Sequence, residues 1–205
     1  MGRIPRRGVA LVVGVVTVGA LAAGAVAALT TVGSREISQS TSGASGTAEA
    51  GDFFSVAIAV GHFNGDRFAD VVVAAPHEDR GSALPDAGII QVMYGSRSGV
   101  RTAGDMVIHK GSGAGDQFGS SVAVGNFNGD RFEDLVVGVA GKDIDGAVDA
   151  GEVVVLYGTR DGLSSAGSDR FGQDTEGVEG DPDAGDFFGH SVTSGDFNGD
   201  GFHDV

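Results

Sequence analysis

Cysteine is absent from the 205 residues, so the chain has neither a disulfide framework nor a thiolate metal site. Positive charge is scarce: 13 Lys and Arg stand against 28 Asp and Glu, a formal net charge of -15. A surface of that sign repels nucleic acid and attracts cations. Three of the positive charges, Arg3, Arg6 and Arg7, sit ahead of the uncharged stretch 8–31, so the rest of the chain is more negative still. Catalytic signatures are missing too. There is no G-x-S-x-G elbow, Walker loop or H-E-x-x-H, and the glycines of 111–115 lack the spacing and βαβ context of a phosphate loop. His77, His109 and His190 are isolated from one another in sequence and read as surface or strand residues rather than bases. No window sustains a helical period, which leaves an all-β chain.

What the chain does have is a repeat. GHFNGDRFAD at 61–70 returns as GNFNGDRFED at 125–134 and GDFNGDGFHD at 195–204, so the central Asp recurs at Asp66, Asp130 and Asp200, 64 and then 70 residues apart. Laying Ala50 to Pro76 over Ala114 to Ala140 without a gap gives 16 identities in 27 columns. A second block follows in each unit, AGIIQVMYGSRSG at 87–99 and AGEVVVLYGTRDG at 150–162. The units run 50–113 and 114–183, and a third opens at 184–205. Asp204-Val205 aligns with Asp70-Val71 and Asp134-Leu135, where an apolar run begins, and this reads as a partial third unit.

Residues 1–30 have the basic start, apolar Val, Leu, Ala and Gly core and small Ala25-Val26-Ala27 of a cleaved export signal. The competing reading is a retained anchor, since Val9 to Leu29 is long enough to span a bilayer. Both readings place the repeats outside the membrane, and Arg6-Arg7 fits a twin-arginine signal. Residues 31–49, rich in Ser, Thr and Gly, read as a flexible linker.

Within each unit, β-branched and apolar runs alternate with Gly, Asp and Asn clusters. They predict strands at Ser55–Val60, Asp70–Ala74, Ile89–Tyr94 and Met106–His109, then at Ser120–Val124, Asp134–Val139, Glu152–Tyr157 and near Arg170. Four short strands per unit of about 65 residues fit a β-propeller blade, whose two buried faces tolerate runs such as VVV. Two blades and the start of a third fall short of the roughly four that close a ring.

The repeated cluster lies between the first two predicted strands of each unit. In the third copy Asp196, Asn198 and Asp200 alternate, followed by the carbonyl of Phe202 and then Asp204. Oxygens at positions 1, 3, 5, 7 and 9 of a tight turn are what Ca²⁺ requires, whereas Mg²⁺ demands a stricter octahedron. The corresponding sets are Asn126, Asn128, Asp130, Phe132 and Asp134, and His62, Asn64, Asp66, Phe68 and Asp70. An EF-hand is excluded by the strand-like flanks and by Val73 or Val137 at position 12. A plain hairpin turn explains Asn, Gly and Asp, but not a carboxylate at position nine in three copies. Position one holds imidazole, amide and carboxylate in turn, so intrinsic affinity should rise from the first copy to the third. Asp204 has almost nothing after it to hold it, so the second turn is expected to be the best occupied.

These features resemble FG-GAP repeats, the blades of the integrin α-chain propeller, which also occur in exported bacterial proteins. The FG element stands at Phe118-Gly119 and Phe188-Gly189 and degenerates to Phe54-Ser55; GAP survives as Ala74-Ala75-Pro76 and is largely lost at Val139-Ala140-Gly141. The resemblance covers about residues 51–205. It implies that the turns bind Ca²⁺ for rigidity on one propeller face. Loops 77–88 and 141–151 then point to the opposite face, toward an extracellular protein or carbohydrate. The implied role is non-catalytic adhesion or recognition, secreted or at the cell surface, with membrane contact only through the N-terminal segment. The alternative is an accessory propeller module of a secreted, phospholipase-like hydrolase.

Overall fold

A computed structural model describes residues 36–110 and 112–205. The predicted signal or anchor at 1–30 and the first part of the linker lie outside the described residues. Among the described residues there are eight strands and no helix. They are β1 (Ile58–Gly61), β2 (Asp70–Ala75), β3 (Ile89–Met93), β4 (Met106–Ile108), β5 (Phe118–Gly125), β6 (Asp134–Val139), β7 (Glu152–Thr159) and β8 (Gly162–Phe171). They form two four-stranded antiparallel meanders, ordered β1-β2-β3-β4 and β5-β6-β7-β8. These are two blades, and they are not closed into a ring.

The repeat extends to register. Val60 faces Val71 and Gly61 faces Asp70 in the first sheet, while Val124 faces Leu135 and Gly125 faces Asp134 in the second. Strands β2 and β6 are buried along their whole length, as the continuous apolar runs require. Alternation then divides each central strand between two neighbours. Val72 and Ala74 point from the first sheet into a core shared with Leu135, Val137 and Val139 of the second. Val71 and Val73 point to the upstream side, where Ile37 covers them, and Val136 points downstream, toward Phe188 and Val192.

The blades differ at the FG element. Gly119 adopts φ +98°, and a Cβ there would stand 3.0 Å from the Ile89 carbonyl oxygen of the first blade. A glycine therefore lets β5 run on past a bulge to Phe118, beyond the Ser120 start that its apolar pattern predicts. Ser55 holds the matching position at φ +77°, and β1 begins only at Ile58. In the third unit Gly195 and Asp204 form an isolated antiparallel bridge, the opening of the same hairpin.

Two hydrogen-bonded seams join successive units at opposite ends of the strands. At one end, carbonyls of Pro85, Asp86 and Ala87 accept from the N–H groups of Gly115, Gln117 and Phe118 at 2.8 to 3.0 Å. Val148, Asp149 and Ala150 do the same for Gly185, Phe187 and Phe188. The other seam involves the candidate turns.

Candidate functional site

The three turns 62–70, 126–134 and 196–204 share one internal frame. At position three, the side-chain oxygens of Asn64, Asn128 and Asn198 accept from the N–H of Asp66, Asp130 and Asp200 at 2.9, 2.9 and 2.8 Å. At position five, those aspartates accept from the N–H of Phe68, Phe132 and Phe202 at 2.6, 2.7 and 2.8 Å. Such side-chain-to-backbone bonds two residues on are the turns that Asn and Asp favour unaided. They bring positions three, five and seven of each copy together at the exposed end of the sheet.

Position nine has a second duty. Asp134 is fully buried; one carboxylate oxygen accepts from Phe127 N and the other from Gly158 N at the far end of β7, both at 2.9 Å. Asp70 repeats this with Phe63 N at 3.1 Å and Gly95 N at 2.9 Å. Burial pushes both carboxyls above their usual range, while the backbone donors pull the other way. Among the described residues Asp204 makes the local half of this arrangement, accepting from Phe197 N at 2.9 Å.

Position one differs among the copies. His62 Nδ1 lies 3.2 Å from the Phe68 carbonyl oxygen, so it occupies the carbonyl expected as a ligand. Asn126 bonds within its own turn through both ends of its amide, to Gly129 N and the Asp130 carbonyl. Asp196 gathers the N–H groups of Gly199, Asp200 and Gly201. Among the described residues no three His, Cys, Asp or Glu side chains form a ready metal cluster. Each turn instead combines amide, carboxylate and carbonyl oxygens. The second and third turns carry an all-oxygen donor set with two and three carboxylates, which fits a hard cation. The imidazole of the first does not fit one.

Position eight was not foreseen from the sequence. Glu133 accepts from His62 N at 2.5 Å through its side chain and donates its own N–H to the His62 carbonyl at 3.3 Å. His203 does the same to Asn126, with Nδ1 accepting at 3.2 Å and N–H donating at 3.0 Å. Phe132 also seats on Gly65 and Phe202 on Gly129, at positions where a Cβ would stand 2.4 and 2.1 Å from the ring. Each turn is thus clamped to the next. Gly95 and Gly158, the anchors of position nine, were legible only as the Tyr-Gly of the second repeated block.

FG-GAP repeat is the family that matches, at residues 54–93 and 118–156. The chain is 32% identical over 159 residues to integrin alpha-PS5 of Drosophila melanogaster, a match spanning 76% of this chain and 15% of that relative. Both matched segments run from the FG position through the candidate turn to β3 or β7.

Proposed function

The chain is an FG-GAP repeat protein with integrin α-like blades, and from that footing we propose that it is an exported, calcium-binding propeller array serving adhesion or extracellular recognition, without catalysis. The observation that carries the reading is the oxygen-rich turn, repeated three times at one end of the blades on a common frame. In the second turn Asn126, Asn128, Asp130, Asp134 and the Phe132 carbonyl would hold the ion; in the third, Asp196, Asn198, Asp200, Asp204 and the Phe202 carbonyl. His62 leaves Asn64, Asp66, Phe68 and Asp70 as the weakest set. Bound calcium supplies a fixed positive charge that rigidifies the turn. Within the described residues the second turn is the best held, because Gly158 fixes Asp134 from β7. Loops 77–88 and 141–151 join β2 to β3 and β6 to β7 at the end away from the turns, and there they present a protein or carbohydrate ligand with Asp79, Asp143 and Asp145.

Calorimetric titration of the full chain with calcium chloride tests this. Binding is expected between about 10⁻⁴ and 10⁻³ M, the range of extracellular modules. Asp130→Asn keeps the turn's acceptor and removes one carboxylate, and should weaken the second site about tenfold. No heat of binding at millimolar calcium would refute the proposal.

A further inference from the structure

The first unit lacks three features that join each later unit to the one before it. The FG glycines, Gly119 and Gly189, lie so close to the preceding blade that an added Cβ would stand 3.0 Å from the Ile89 carbonyl oxygen and 2.5 Å from that of Glu152. The first unit has Ser55 there, whose Cβ would meet such a carbonyl. Position eight, where the side chains of Glu133 and His203 accept from the N–H that opens the preceding turn, is Ala69, which has no side-chain acceptor. Val154 of β7 is fully buried against the first blade, and its counterpart in β3 is Gln91. A blade seated upstream of β3 would have to bury that amide, at a cost unless it also bonded to it.

Another occupant suits these changes. Residues 36–49 lie along the upstream face of the first sheet. Ile37 is 2% exposed and packs with Val71, Val73 and Met93, the counterparts of Leu135, Val137 and Leu156, which the first blade covers. Gln91 Nε2 donates to the Ser45 carbonyl at 3.1 Å and also to Asp105. Ser45 donates its N–H and hydroxyl to Asp105 at 2.8 and 2.7 Å, and the Ser42 carbonyl accepts from Thr102 at 2.9 Å. Between them Gly43, at φ +84°, passes so close to Ala103 that a Cβ would stand 3.2 Å from its backbone nitrogen. Gln39 donates to Glu78 at 2.5 Å. The polar groups that would hinder a blade are thus bonded by this segment. Its cover stops short of β1, where Ile58 and Val60 are 39% and 56% exposed, whereas their counterparts Val122 and Val124 pack against the first blade.

We propose that residues 36–49 are a cap dedicated to the first blade: they take the place of a preceding blade, and no blade of this chain or of a second copy packs on that upstream face. Repeat arrays need such ends, because a terminal repeat would otherwise present its apolar face to water. Calcium has no part in the cap, so it stands or falls separately from the function proposed above.

Hydrogen exchange and thiol labelling of the full-length chain, both with chelator, test the cap. The amides of Ser38, Thr41, Ala44 and Ser45 are all bonded in the docked segment and should exchange at least about tenfold more slowly than their intrinsic rates. Ile37→Asp should return them to within about twofold of those rates while β6 and β7 stay protected. Gln91→Val, which gives β3 the residue of β7, should speed exchange of the Ser45 amide. Because the chain has no cysteine of its own, labelling of Val60→Cys reports that position alone, and its thiol should react like a free one. The cap is overturned if these amides exchange at intrinsic rates in the wild type, or if Ile37→Asp or Gln91→Val leaves their protection unchanged. A shielded thiol in Val60→Cys would place a blade upstream and equally overturn it.

Discussion

Removing the carboxylate at position nine separates the structural duty of that residue from any role in holding an ion. Asp134→Ala deletes two bonds to backbone donors, Phe127 N and Gly158 N, at a fully buried site. A hydrogen bond to a charged acceptor contributes about 1.5 to 3 kcal/mol. Two of them give roughly 3 to 6 kcal/mol, reduced because the buried carboxylate is itself disfavoured by desolvation. The expected cost is about 3 kcal/mol. Asp204→Ala deletes one such bond at a half-exposed site and should cost about 1 kcal/mol or less. Both variants are measured by urea unfolding in chelator, where any ion-dependent contribution is absent. A domain with 5 to 15 kcal/mol in hand would register the first change as a large drop in midpoint. If the two variants differ by less than about 0.5 kcal/mol, position nine is not the strut that ties the turn to the third strand.

Gly129→Ala sets a Cβ 2.1 Å from Phe202 on a φ of +74° and should cost about 2 to 3 kcal/mol in urea unfolding, whereas Gly199→Ala meets open space and should cost only about 1 kcal/mol for its φ of +80°. Tyr157 donates to Asp169 at 2.6 Å, and burial followed by that bond pushes its phenol up to about 12. The raised value means stability holds below pH 10 and declines as the unfolded phenol ionises first; absorbance titration, unobscured because the chain has no Trp, should show a late tyrosinate step that Asp169→Ala moves earlier.

Because the units repeat, most of the fold is legible in the sequence alone. Strands with continuous apolar runs, such as Asp134–Val139, are legible because both faces are buried and the pattern needs no phase. Edge strands are not: β8 runs from Gly162 to Phe171 with its middle exposed, so hydrophobicity marks little more than its beginning. Ser55 keeps the positive φ of Gly119 while β1 begins only at Ile58, a boundary that composition does not display. The turns were legible because Asn, Asp and Gly act on their own backbone within a few residues. Glu133 and His203 were not, because their partners lie 71 and 77 residues away and vary in identity while the backbone bond stays the same. The described part of segment 31–49 is hard to read for a related reason. Its contacts run mainly through carbonyls and hydroxyls of Ser and Thr, and composition alone cannot tell a docked segment from a free one.

Each junction between units therefore has three independent fasteners: an apolar core, a row of three backbone bonds at one end of the strands and a two-point clamp at the other. The clamp grips position one, a candidate ligand, from position eight of the following turn, next to another candidate ligand. Stiffening one turn thus constrains the turn after it through the backbone. On the proposed reading, calcium in the second turn would restrain both neighbours through His62–Glu133 and Asn126–His203. The apolar core and the far-end row require no ion, so chelation should soften the turn end of the blades first and leave the packing between sheets in place.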